Sequence, residues 1–177
     1  DTARRAFVMA RLLSGVLALT LLAPGLATGA AAYEIADAPA GVVRSGAAQT
    51  GLATVPLTLH TATGKHRYTV EVAQTPQAQA TGMMYRRSMP VNHGMLFPFA
   101  TARVMTFWME NTWLPLDLVF IGDDGKVAGI AADAKPMSRD IISSQVPARA
   151  VLELNGGEAA RIGLRPGDMV SYKLPKP

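Results

Sequence analysis

Isolated polar side chains stand among large apolar ones in one short stretch of this 177-residue chain. Residues 105–121, MTFWMENTWLPLDLVFI, contain both tryptophans, Trp108 and Trp113, together with Glu110, Asn111 and Asp117. A carboxylate among apolar neighbours is costly to bury unless a cation or several hydrogen-bond donors lie beside it. Polar groups that converge between aromatic walls are typical of a site for a small ligand or a sugar.

Arg86 and Arg87 follow a short predicted helix, and we expect one of them beside Asp117. One interpretation is a ligand site that uses acidic, amide, basic and aromatic side chains. Its candidate residues are Arg86, His93, Trp108, Glu110, Asn111, Trp113 and Asp117. The alternative is a structural Arg–Asp pair that fixes the turn at residues 111–115, since ion pairs also serve purely structural roles.

A hydrolase is a second hypothesis. His93 lies in a loop beside these motifs and is the best candidate for a general base. A His93–Asp117 couple with Ser88 or Thr112 as the nucleophile would suit a small or cell-wall substrate. The sequence has no G-x-S-x-G motif, which is the local signature of many serine hydrolases, so we favour binding over catalysis.

Methionine supports a third hypothesis, copper handling. Eight methionines follow residue 32, and Met105 and Met109 share one face of a predicted strand. Thioethers together with His93 would suit Cu(I). Methionine also fills irregular cores and packs against aromatic rings. This simpler interpretation is preferred, and it predicts no metal and no other cofactor.

The first 32 residues have the pattern of a cleaved export signal. Basic residues Arg4, Arg5 and Arg11 precede an apolar run at 12–23, and alanines at 30–32 offer a cleavage site. A run of this length is shorter than the roughly 20 residues that a spanning helix needs, so we expect no stable membrane span. The sequence predicts a periplasmic or secreted protein. The segment RRAFV at 4–8 resembles a twin-arginine signal, and both export routes stay open.

The composition of the rest of the chain limits what it can bind and how it can be stabilised. Residues 33–177 contain 14 basic and 12 acidic residues and no basic run, so they offer no electrostatic footprint for nucleic acid. The chain has no cysteine, and stability must therefore come from an apolar core. Residues 33–54 are rich in small residues and predict a flexible linker, whereas residues 55–174 predict one domain.

Short alternating segments predict a mainly β domain. We expect a hairpin from 56–60 and 66–72, a helix at 77–84, and a brief strand at 94–97 that Pro98 closes. Strands at 104–110 and 116–122 follow, then a tight turn at 123–125 and a strand at 126–131. A strand at 150–154, one or two helical turns at 157–162 and a strand at 169–173 complete the domain. This pattern favours an antiparallel β-sandwich or a jelly-roll-like barrel with two short helices.

Several motifs occur here in one order: TPQAQATGMMYRR at 75–87, GMLF at 94–97, FWMENTWLPLD at 107–117, VLE at 151–153 and GD at 167–168. Together they resemble the DUF192 family of small, often exported domains, over roughly residues 55–174. The resemblance implies a jelly-roll type of β-sandwich and no established activity, cofactor or substrate. This chain departs from the family pattern at Gln77, where relatives commonly have an acidic residue, and near Ser143 and Ser144, where many have cysteines.

These observations predict an exported small-ligand-binding or accessory module with its site around residues 111–117. The expected partner is a small molecule or a saccharide, and not nucleic acid.

Overall fold

The computed structural model describes residues 46–175, so the predicted export signal and most of the predicted linker lie outside the described residues. Seven strands and two short helices form this part of the chain. In order they are β1 (Thr54–Thr61), β2 (Gly64–Val72), α1 (Pro76–Thr81), β3 (His93–Phe107), β4 (Leu116–Ile121), β5 (Val127–Ala134), β6 (Ile142–Asn155), α2 (Glu158–Arg161) and β7 (Met169–Tyr172). Neither of the helices found in this range is long and apolar enough to cross a membrane.

All seven strands belong to one curled sheet with the order β5-β4-β6-β3-β2-β1-β7. Strands β2 and β3 are parallel, and the other neighbours are antiparallel. A bridge between Lys126 and Met169 joins the two ends of the sheet. The Val127 N–H donates to the Asp168 carbonyl there at 2.9 Å. The sheet therefore closes on itself as a small barrel, and the predicted mainly β class with two short helices is confirmed.

Local sequence signals account for the first hairpin and the first helix. Strands β1 and β2 pair through Thr61 and Gly64, as the alternation predicts. Helix α1 begins at Pro76, and the side chain of Thr75 caps it by accepting a hydrogen bond from the Ala78 N–H at 3.1 Å. Proline suits the first helical turn because its missing N–H has no helical partner there.

Two strands are longer than predicted. The prediction that Pro98 ends a strand is wrong: β3 continues through Pro98 to Phe107. The pairing of β3 with β6 shifts register between Pro98 and Arg103. A bulge of this kind lets a strand bend and continue past a residue that cannot donate to the ladder. Strand β6 likewise begins at Ile142, far before the predicted start at residue 150.

The alternation of β4 separates two apolar cores. Val119 and Ile121 face a cluster that draws on all seven strands and fills the barrel. Leu116, Leu118 and Phe120 face the outer side of the sheet, where α1 and the loops form a second cluster. All six residues of β4 are therefore buried. This assignment of faces agrees with the prediction from period-two alternation.

Candidate functional site

Asp117 lies on β4 with a fully buried side chain, and its hydrogen-bond partners within residues 46–175 are all backbone N–H groups. One carboxylate oxygen accepts from Asp133 at 2.8 Å and from Gly157 at 3.1 Å, and the other accepts from Ala159 at 2.7 Å. These three bonds tie β4 to β5 and to the start of α2. The predicted pairing of Arg86 with Asp117 is therefore wrong, whereas the predicted need for several donors is met by the main chain.

Arg86 turns toward β2 instead. Its Nη1 forms an ion pair with the Glu71 carboxylate, and its Nη2 donates to the Gln49 carbonyl at 3.1 Å. The Gln49 side chain in turn donates to the Gly82 carbonyl at 2.8 Å and so holds the end of α1 in place. The remaining donor, Arg86 Nε, is buried and has no hydrogen-bond partner within residues 46–175.

Glu153 lies two strands away from Glu71 in the same row of the sheet. The register pairs Glu71 with Met95 and Met95 with Glu153, so all three side chains share one face. Glu153 is 6% exposed, and its Oε2 has no hydrogen-bond partner among the described residues. Burial raises the pKa of Glu153 to about 8, although the positive charge of Arg86 opposes this rise. The carboxyl group is therefore mostly protonated at neutral pH.

Sequence reasoning missed Glu153 and Glu71. The signal was available, because both acids interrupt apolar strand segments, Val70-Glu71-Val72 and Leu152-Glu153-Leu154. The same argument that selected Asp117, a carboxylate placed among apolar neighbours, applies to each of them.

The turn that carries Arg86 has an unusual backbone. Tyr85 has φ = 65° and Asn111 has φ = 57°, although neither is glycine. A bulky aromatic residue in the left-handed region is an outlier. The Tyr85 N–H donates to the Asn111 carbonyl at 2.8 Å, and the Asn111 amide contacts the sulfur of Met84 at 3.9 Å. This hydrogen bond thus joins the two residues of positive φ.

Arg86 and Arg87 are consecutive in the chain, but their side chains lie in different environments. Arg86 is half-buried with a fully buried Nε, whereas the Arg87 guanidinium stacks on the Trp113 ring with its central carbon 3.5 Å from the ring centroid. Tyr85 meets the same indole edge-on, with the ring centroids 6.4 Å apart. Trp113 is partly buried and Arg87 is exposed. Tyr85, Arg87 and Trp113 therefore form an aromatic and cationic surface at the turn that carries the half-buried Arg86.

The other predicted site residues do not join this group through any contact found in the described part of the chain. Trp108 is 46% exposed. Glu110 forms a surface ion pair with Arg139 at 2.6 Å. His93 is exposed, and its Nδ1 lies 3.1 Å from the Val91 carbonyl. Because Asp117 bonds only to the main chain, the His93–Asp117 couple of the hydrolase hypothesis is not formed.

Most methionines fill the outer core. Five of them are buried in one cluster with Phe97 and Phe120, namely Met83, Met89, Met95, Met105 and Met109. The Phe97 and Phe107 rings pack edge-on at 5.8 Å within the same region. This packing fits the core-filling interpretation. Between residues 46 and 175, no group of three or more histidine or carboxylate side chains is placed to hold a metal ion.

Comparison with known proteins defines the class of this domain. The model of the DUF192 family, described as an uncharacterised ACR, matches residues 58–172. The chain therefore belongs to the DUF192 family, as its motifs indicate. No curated protein matches it.

Two solved structures are similar to this chain. One comes from Sinorhizobium meliloti 1021 and is described as a candidate transcription regulator. It is 44% identical with a TM-score of 0.68, and the match covers 70% of this chain and 97% of that chain. The other is a protein of unknown function from Novosphingobium aromaticivorans DSM 12444. It is 43% identical with a TM-score of 0.68, and the match covers 69% of this chain and 87% of that chain.

Proposed function

We propose that this domain is an exported module that binds a small polar ligand of saccharide size at the Tyr85–Arg87 turn. We name this region the Arg86 site. Its base consists of Glu71, Arg86 and Glu153, and its rim consists of Tyr85, Arg87 and Trp113. The observation that carries the proposal is the pair of buried polar atoms without partners at the base, Arg86 Nε and Glu153 Oε2.

The energetic cost of this arrangement supports a functional role. A buried polar atom that loses its hydrogen bond costs about 1–3 kcal/mol. A non-glycine residue in the left-handed region, such as Tyr85, costs about 1–3 kcal/mol more. An apolar side chain at position 153 would avoid part of this cost, since its neighbours on the adjacent strands are Met95 and Leu118. Costs of this kind concentrate at binding sites.

The rim has the chemistry that a saccharide needs. The apolar face of a sugar ring packs on an aromatic side chain, and Trp113 offers a partly exposed ring. Arg87 lies over that ring and forms no ion pair within residues 46–175, so its N–H groups are free to bond to hydroxyl oxygens. The predicted export signal is the basis for proposing a periplasmic or secreted location.

Nucleic-acid binding, which the description of the relative from Sinorhizobium meliloti suggests, has little support from charge. Residues 46–175 contain 12 basic and 10 acidic residues. Three of the arginines, Arg86, Arg139 and Arg161, form ion pairs of 2.7 Å or less with acidic neighbours. A nearly balanced surface lacks the basic stripe that phosphate contacts require.

Titration of the purified protein with neutral hexoses, N-acetylated amino sugars and uronic acids tests the proposal. Binding is followed by calorimetry and by tryptophan fluorescence. Trp113→Ala is expected to weaken binding about tenfold or more, because a buried stacking contact contributes on the order of 1–3 kcal/mol. Trp108→Ala is the matched control and is expected to bind as the unaltered protein does. Equal loss in both variants, or no saturable binding of any sugar, would contradict the proposal.

A further inference from the structure

We propose that this chain associates with a second copy of itself through β3. Residues 104–108, which we name the β3 edge, pair antiparallel with the β3 edge of the second copy on a two-fold axis at Thr106. Both copies then use the same surface, as in other interfaces of two-fold symmetry. The inference does not depend on the ligand proposed for the Arg86 site.

Strands β3 and β6 extend beyond the barrel as a two-stranded arm. Strand β2 pairs with β3 only from His93 to Leu96, and β4 pairs with β6 only from Ala150 onward. The pairing of β3 with β6 continues past these points, as far as Phe107 and Ile142. Within residues 46–175, no strand therefore pairs with β3 after Leu96 on the side away from β6.

The main-chain groups of Val104 and Thr106 point to this open side. The Met105 N–H donates to Ser144 Oγ of β6 at 2.9 Å, so it points toward β6. Main-chain groups alternate in direction along a strand, and those of Val104 and Thr106 therefore point away from β6. Pro147 pairs with Val104, which fits this assignment, because a pair that exchanges no hydrogen bonds loses none to proline. Outward main-chain groups of this kind are a template for another strand.

The side chains of the β3 edge are exposed and largely apolar. Val104 is 52% exposed and Trp108 is 46% exposed, and Thr106 between them is exposed as well. The register of β3 with β6 places the exposed Ile141 opposite Trp108, so the apolar surface continues across the arm. Edge strands usually carry a charge or a proline that prevents pairing with another chain. Residues 104–109 contain neither.

The order of residue types favours a two-fold axis at Thr106. The β3 edge reads VMTFW, with one polar residue at its centre and two apolar residues on each side. Antiparallel pairing about Thr106 places Val104 opposite Trp108 of the second copy and Thr106 opposite its own equivalent. A β-branched residue against an aromatic ring and a threonine against a threonine are both favourable cross-strand pairs. The main-chain groups that point outward then exchange N–H···O bonds between the copies.

Charge supports the same register. Arg103 and Glu110 flank the β3 edge in the sequence and have opposite signs. An axis at Thr106 brings Arg103 of each copy close to Glu110 of the other, whose two carboxylate oxygens can accept from Arg103 as well as from Arg139. An axis at Val104 would instead bring Arg103 of both copies close together. Opposite charges that meet across an interface fix its register.

Sedimentation velocity of the purified protein over a range of concentrations tests the inference. A short edge buries less than the roughly 1,200–2,000 Å² of a stable interface, so we expect a monomer–dimer equilibrium with a Kd on the order of 10–100 µM. Val104→Lys is expected to weaken the dimer about tenfold or more, because it places a charge opposite Trp108 twice in each dimer. Val91→Lys is the matched control. Val91 is 74% exposed and precedes β3, so this change is expected to leave the equilibrium unaltered.

Cross-linking tests the register separately. The chain has no cysteine, so Thr106→Cys introduces a single thiol. The two equivalent Cα atoms of a hydrogen-bonded antiparallel pair lie about 5.5 Å apart, which a disulfide can span. We expect diamide to convert Thr106→Cys to a covalent dimer much faster than Val91→Cys, which measures random collision. Addition of Val104→Lys to the Thr106→Cys protein is expected to remove this difference.

Three results would overturn the inference. The first is a monomer at every concentration up to about 500 µM, which would leave the β3 edge to an extended segment of a different protein. The second is a dimer that a folded Val104→Lys protein forms equally well. The third is cross-linking of Thr106→Cys no faster than that of Val91→Cys, because the two copies would then meet through another surface. Circular dichroism confirms that each variant is folded.

Discussion

Replacement of Glu153 by glutamine gives a quantitative test of the buried acid. In the folded protein the pKa of Glu153 is about 8, against an ordinary value of 4.5. Below pH 4.5 the group is protonated in the folded and unfolded states alike. Between these values the unfolded chain loses a proton that the folded chain keeps, so the free energy of unfolding falls as pH rises. Above about pH 8 both states are ionised and the loss is complete.

The size of the effect follows from the pKa values. Each pH unit over which only the folded state keeps the proton costs about 1.4 kcal/mol. From pH 4.5 to about 8 the loss reaches on the order of 5 kcal/mol. A glutamine does not titrate, so Glu153→Gln is expected to match the unaltered protein near pH 5. It should be more stable at pH 9, by up to that amount.

Urea denaturation between pH 5 and pH 9, followed by tryptophan fluorescence, measures this difference. This pH range excludes the titration of Glu158. The pKa of Glu158 is lowered mainly by its hydrogen bond to Arg161, so its contribution to stability is lost only below pH 4.5. Glu110→Gln is the matched control, because an exposed ion pair contributes about 0–1 kcal/mol. A stability difference between Glu153→Gln and the unaltered protein that stays constant from pH 5 to pH 9 would refute the assignment of Glu153 as a buried neutral acid.

Three further substitutions test individual hydrogen bonds and one close contact in the domain. Asp117→Asn is expected to lower the free energy of unfolding by about 2–4 kcal/mol in urea denaturation, because the amide group cannot accept all three backbone N–H bonds; an unchanged midpoint would show that these bonds are dispensable. Gly94→Ala places a methyl group 2.6 Å from the Glu153 carbonyl oxygen. We expect thermal unfolding to show a loss of about 1–3 kcal/mol, and a stability equal to that of the unaltered protein would contradict this close approach. Glu158→Gln weakens the bond that Tyr68 Oη donates at 2.6 Å, and a loss of about 1 kcal/mol is expected; if Tyr68→Phe and Glu158→Gln are fully additive in a double-mutant cycle, the bond contributes nothing.

Much of the fold follows from local sequence. Alternation and turn residues identify the first hairpin, the two faces of β4 and the turn at Gly125, where φ is 73° and the Asp124 carboxylate accepts from the Lys126 N–H at 3.0 Å. These features depend on neighbours in the sequence. The full extent of β3 and β6 does not, because their pairing contains register shifts near Pro98 and Val104 that become favourable only when both strands are present.

The site was predicted in part. The requirement that a buried Asp117 have donors is correct, but its partners are main-chain groups of β5 and α2, which an inventory of side chains cannot reveal. The same inventory assigned Arg86 to the wrong acid, because Arg86 and Glu71 are 15 residues apart in the chain and meet only where the turn after α1 lies against β2. Pairing of this kind is decided by the topology of the sheet.

The position of β7 has a consequence for how the chain folds. β7 pairs with β1, so residues Leu57 and Tyr172 are neighbours although almost the whole domain separates them in sequence. Strands β3 and β6 likewise meet across a long intervening segment. Contacts of such high sequence separation slow folding, because the entropy of closing long loops is lost before the contacts form. During synthesis the barrel cannot close until β7 has left the ribosome, so the nascent domain exposes both edges of an incomplete sheet for most of its translation.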